Sequence, residues 1–96
     1  MVNKNEQKKP IYLKTFTLRD AKDIYEIRTD IEKHMILIIR ITPLAQRDVD
    51  ELRIVVEDLY KCVNSVGGDI SRLGEERIIV TPPSVKIWHK GIDANS

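Results

Sequence analysis

Two histidines, His34 and His89, one cysteine, Cys62, and the serines Ser65, Ser71 and Ser84 are the side chains of this sequence best suited to metal binding or nucleophilic chemistry. The histidines lack a helical carboxylate or cysteine at ligand spacing. They read as surface residues, one at an element boundary and one near the tail. No base stands in sequence context to activate the serines or the thiol, and Cys62 falls on an apolar helical stripe where burial explains it better than reactivity. Gly67, Gly68 and Gly74 do not make a phosphate loop, because neither G-x-x-x-x-G-K-[ST] nor G-x-G-x-x-G lies between a strand and a following helix. The acidic set Asp48, Asp50, Glu51, Glu57 and Asp58 does not share one facet at chelating spacing and suits the solvated side of a helix. The chemistry-bearing residues therefore predict no catalytic centre, no cofactor and no metal.

Composition narrows the class further. Lys and Arg number 16 against 15 Asp and Glu, so the molecule carries no strong overall field for nucleic acid or lipid. A local basic set, Lys8, Lys9, Lys14, Arg19, Lys22 and Arg28, is offset by Asp20, Asp23 and Glu26, and neither an aromatic-bearing RNA-binding strand nor helix-turn-helix spacing accompanies it. No nucleic-acid partner is predicted. Apolar residues at 42% with charged residues at 32% of 96 describe one globular domain. Such a small domain is often completed by a partner or a second copy. A single cysteine fits a reducing setting, and "MVNKNEQKKP" has no apolar core of a signal peptide. The longest apolar run, Met35 to Ile39, is too short to cross a bilayer, so a cytoplasmic domain is expected.

Period and punctuation predict the elements. Residues 1–9 are polar apart from Met1 and Val2 and read as a disordered tail or linker, as do residues 91–96, which leaves 10–90 as the globular domain. "IYLKTF" after Pro10 suits a first strand. "TLRDAKDIYEIRTDIEK" switches to helical period, with Thr17 the candidate N-cap and an end near Arg28 or slightly later. "MILIIRI" lacks polar alternation until Arg40, the pattern of a central strand buried on both faces and parallel to the first. Pro43 stops it. "LAQRDVDELRIVVEDLYKCVNSV" predicts one long second helix whose apolar arc, widened by Ile54, Val55, Tyr60 and Cys62, exceeds what one small sheet needs to cover. Gly67 and Gly68 end that helix, one of them in the left-handed conformation. Asp69–Leu73 and Arg77–Thr81 then form a hairpin around Gly74, and Pro82 and Pro83 turn the chain into a last edge strand, Val85 to Trp88. The expected fold is a two-layer α/β sandwich, two helices on a roughly five-stranded mixed sheet in the order β-α-β-α-β-β-β.

The stretches "PIYLKTFTLRD", "ILIIRITPLAQRDVDELR" and above all "GGDISRLGEERIIVTPPSVKIW", in this order from about Pro10 to Trp88, resemble the SepF family of cell-division proteins, in its archaeal branch most closely. The resemblance implies a non-enzymatic homodimer that binds the C-terminal tail of the tubulin-like division protein FtsZ and links its filaments to the membrane at the division site. It places the tail on the terminal hairpin and neighbouring helix, with Arg72 and Ile78 as the contact residues. Their plainer readings are a solvated strand arginine and a core isoleucine. Gly67 and Gly68 are implied at the dimer interface, and Val55, Leu59 and Cys62 are interface candidates equally well explained as core. Membrane contact in the family comes from an N-terminal amphipathic helix that residues 1–9 do not display. Bacterial relatives break the second helix with small residues, whereas Asp58 to Cys62 continue it here, which implies a simple dimer rather than a ring-forming polymer. The alternative from another class is a regulatory α/β dimer that binds a small molecule at its interface.

Overall fold

The computed structural model describes residues 10–88, so the expected tails and His89 lie outside the described residues. β1, Leu13–Thr17, leads through a 3-10 turn, Ala21–Asp23, into α1, Ile24–Glu32. β2, Ile36–Arg40, is followed by a short α2, Thr42–Arg47, a long α3, Val49–Ser65, and the hairpin of β3, Asp69–Leu73, with β4, Arg77–Thr81. The sheet order is β1-β2-β4-β3, with β1 parallel to β2 and the other pairs antiparallel. This is a mixed α/β fold of helices on one sheet, the expected class, with three departures.

Among the described residues the sheet has four strands rather than five. Val85–Trp88 is not a strand: Pro82 and Pro83 offer no ladder donors, and the segment is held by side chains instead. Thr81 Oγ1 donates to the Val85 carbonyl at 2.7 Å, and the Ile87 amide donates to Asp69 Oδ2 at 3.0 Å. The second helix is two helices. Asp48 stands extended at φ −161° and its carboxylate accepts the Glu51 amide at 3.0 Å, capping α3 after α2 has ended. Pro43, which does end β2, sits in the first turn of α2, where a missing amide costs nothing. Finally, Asp20 rather than Thr17 caps the entry to the helical region, through a capping box with Asp23.

The layers follow from strand parity. Leu37 and Ile39 of β2, Ile78 and Val80 of β4 and Phe16 of β1 share one face, and Ile27, Ile31, Leu44, Val55, Leu59 and Val63 pack on it from the helices. Truncating one of these to Ala costs about 2–5 kcal/mol in a core of this kind. Lys14 sits at the rim of that face and donates to Asp30 at 2.8 Å and Glu26 at 2.9 Å, tying the outer strand to α1. Glu51 Oε2 accepts both the Ala21 amide and Arg47 Nη2 at 2.8 Å, joining α3, α2 and the 3-10 turn. The opposite face carries Leu13, Ile36, Ile38, Ile79 and Leu73 with Ser71, Thr15, Arg40 and Arg77 between them, and no helix among the described residues covers it.

Candidate functional site

α3 crosses the helix-side face next to β3, and the two leave a groove between them. Spacings of three and four along α3 bring Val49, Leu52, Arg53, Val56 and Glu57 to one wall, Ile41 closes one end, and Arg72 of β3 forms the other wall. The hollow measures about 250 Å³ and is mainly apolar. Arg72 Nη2 donates to the Glu75 carbonyl at 3.3 Å and Arg53 Nη1 lies 3.4 Å from Asp50, so both guanidiniums are loosely held at the rim. Such a surface suits an apolar side chain below and a carboxylate at the edge.

The sequence-derived residues divide. Arg72 is exposed and lines the groove. Ile78 is its cross-strand neighbour but only 1% exposed, beneath the helices among Ile39 and Leu59. Val55 and Leu59, at 2% and 0%, are buried in this chain's own core, as their second reading has it. Cys62 is half-buried against that core, and burial, first among the influences on it, pushes its thiol pKa up, away from reactivity. Gly67 takes φ +76°, the left-handed cap expected of one member of the pair. Gly68 lies so close to the Thr81 carbonyl oxygen that a Cβ would not fit. Val49, Leu52, Arg53, Val56 and Glu57 belong to the groove although sequence reasoning singles out none of them as site residues. Their signal is the excess apolar arc of the helix, attributed there to other members.

Two further hollows are larger but shallow in chemistry. One, about 400 Å³, runs between the 3-10 turn, α1 and α3, with Tyr25 and Ile54 exposed and Val55 at its bottom. The other, about 420 Å³, lies near Tyr12, Lys33, His34 and Ser84. Among the described residues no group of three His, Cys, Asp or Glu is placed to hold a metal ion, and no helix is long and apolar enough to cross a membrane.

These features define a two-layer α/β domain with helices on one face of its sheet, the other face bare, and an apolar groove beside its edge hairpin. The profile of the family Cell division protein SepF matches residues 13–87, and the chain belongs to this cell-division family. Among solved structures it is similar to a SepF-like protein from Archaeoglobus fulgidus, at 28% identity with a TM-score of 0.74, covering 80% of this chain and 92% of that one. A SepF-like protein from Pyrococcus furiosus shares the fold at 24% identity with a TM-score of 0.75, covering 84% of this chain and 98% of that one. A comparison with curated proteins gave no significant match.

Proposed function

We propose that this domain is a non-enzymatic adaptor of cell division, a homodimer that binds the C-terminal tail of FtsZ in the α3–β3 groove at the inner face of the membrane. Membership of the SepF family makes FtsZ the partner to test. The observation that carries the site is that Arg72, singled out by the family resemblance, lines an apolar groove whose other charged members are Arg53 and Glu57. Ile78 then acts from beneath, holding β4 and so the hairpin against the helices, rather than by touching the peptide.

The dimer reading draws on β2. Its sequence is apolar at consecutive positions, yet the helices cover only Leu37 and Ile39, leaving Ile36 and Ile38 beside Ile79 on the bare face. A second copy laid on that face would remove those side chains from water at roughly 25 cal/mol per Å² of apolar area. Gly67, Gly68 and Cys62 then serve the end of α3 more than the contact. A small-molecule role is the weaker reading, since none of the hollows, at about 250, 400 and 420 Å³, combines an apolar lining with several converging polar groups.

The test is a calorimetric titration of the domain with the FtsZ tail peptide, beside the same titration with Arg72→Glu. Saturable binding near one peptide per subunit, weakened at least tenfold by the substitution, supports the reading. Absence of binding, or binding indifferent to Arg72, removes the groove from it.

A further inference from the structure

One wall of the groove is Arg72 of β3. Among the described residues β3 is an edge strand, paired with β4 alone. Along such a strand, alternate residues direct their N–H and C=O toward the neighbour and away from it. The Ile70 amide donates to Asp69 Oδ1 at 2.9 Å instead of joining the ladder, so Ile70 is one of the outward-facing residues. Two residues further on, Arg72 is the next. Its carbonyl accepts the Ser71 hydroxyl at 3.3 Å, a long contact at an exposed position. Natural edge strands are usually blunted by prolines, inward charges or bulges. Here the Asp69 carboxylate occupies the Ile70 amide at one end of β3, while Arg72 and Leu73 at the other end are exposed.

We propose that the peptide binds as an added strand alongside β3, pairing its main chain with Arg72 and directing every second side chain into the groove. The inference rests on the preceding reading that this groove takes the FtsZ tail. The Asp69 end of β3 is taken up by the Ile70 and Ile87 amides, so pairing is confined to Arg72 and its neighbours towards the hairpin, a length of about three residues or about 10 Å. Side chains of one parity would meet Val49, Leu52 and Val56, and those of the other would pass beside Leu73 on the bare side of the sheet. The groove's charges are two arginines, Arg53 and Arg72, against one glutamate, Glu57, so the occupant it fits is an extended apolar peptide carrying a carboxylate. Main-chain pairing supplies affinity and the alternate pockets supply selectivity.

The experiment leaves the protein untouched and alters the peptide. FtsZ tail peptides, each with one backbone amide N-methylated, are titrated into the full chain. Strand addition predicts that methylation of the one peptide amide that donates to the Arg72 carbonyl weakens binding tenfold or more, while methylation of the amides on either side of it, which face away, changes it little. Undiminished binding by every methylated peptide overturns strand addition and leaves the groove reading standing. No binding by the unmodified peptide overturns both. A wild-type mass above dimer by light scattering, reduced by Arg72→Pro and unaffected by peptide, would assign the edge to a second copy and overturn the proposal as well.

Discussion

Gly68 is the position at which the fold tolerates least, and Gly68→Ala measures how much. The residue joins α3 to β3, its amide donating to the Val63 carbonyl at 3.0 Å. An added Cβ would collide with the Thr81 carbonyl oxygen and stand 3.2 Å from Val63 Cγ1. The side chain of Val63 can rotate, but the carbonyl belongs to β4 and cannot move without displacing the sheet. Overpacking of this kind costs about 1–3 kcal/mol, and a backbone obstacle puts Gly68 at the upper end. For a domain with about 5–15 kcal/mol of stability this is a large share. It lowers the melting temperature by about 10–20 °C, at roughly 4–8 °C per kcal/mol. Gly74→Ala is the control: nothing lies within 4 Å of its Cβ, and its φ of +71° alone costs about 1 kcal/mol. Thermal and urea unfolding followed by circular dichroism, at two protein concentrations, give the order. The reasoning fails if Gly68→Ala melts within a few degrees of wild type or Gly74→Ala is the worse variant. If Gly68→Ala is instead a normally stable monomer, the glycine serves the dimer contact and the collision is relieved without cost.

Lys14 has its pKa raised, first by its hydrogen bond to Asp30 and then by Glu26. A raised lysine stabilises the fold fully below its unfolded pKa and loses that contribution as pH rises through the folded one, so unfolding should steepen above about pH 10. Lys14→Met should flatten that alkaline difference in urea titrations while lowering stability at pH 7, because Asp30 is 4% exposed and would lose its cation. Asp48→Ala removes the cap of α3 and should cost about 1 kcal/mol, read from the urea midpoint with an unchanged slope. Ile38→Lys, in the middle of the bare face, should leave circular dichroism intact and halve the mass by light scattering; an unchanged mass would move the dimer contact elsewhere.

The hairpin was legible because its punctuation is local: Gly67 and Gly68 before it, Gly74 within it and Pro82 after it bound strands found at Asp69–Leu73 and Arg77–Thr81. β2 was legible from its unbroken apolar run, but the expected burial of both faces was not met: Leu37 and Ile39 are buried while Ile36 and Ile38 are only half-buried. The break between α2 and α3 was not legible, because Ala45, Val49 and Leu52 keep spacings of four and three across it, while the contrary signal was Asp48 three residues before Glu51. The fifth strand failed for the opposite reason. Val85 and Ile87 alternate properly, but a strand needs a partner ladder: the Val85 amide donates to the Pro82 carbonyl in a turn, its carbonyl accepts from Thr81 Oγ1, and the Ile87 amide donates to Asp69. The groove needs tertiary information: Arg72 could be singled out, but its meeting with Val49, Leu52 and Val56 depends on β3 taking the outer place beyond β4.

The two proposed surfaces lie on opposite faces of the sheet and meet only at its edge, beside Leu73. Arg72 and the groove belong to the helix side of the sheet, while Ile36, Ile38 and Ile79 belong to the other, so a second copy on the bare face leaves the grooves of both subunits exposed. That arrangement suits a filament, which offers many identical tails. Once one groove has engaged, the second tail is captured at an effective concentration set by the tether, and avidity can exceed single-site affinity by about 10²–10⁴-fold. A shallow groove holding each peptide weakly is therefore compatible with firm attachment. Ile38→Lys separates the terms: single-peptide affinity in solution should remain as in wild type, whereas retention on assembled FtsZ filaments should fall by tenfold or more. Equal loss in both assays would mean that the groove is completed by the second subunit, and the opposite-face arrangement would be wrong.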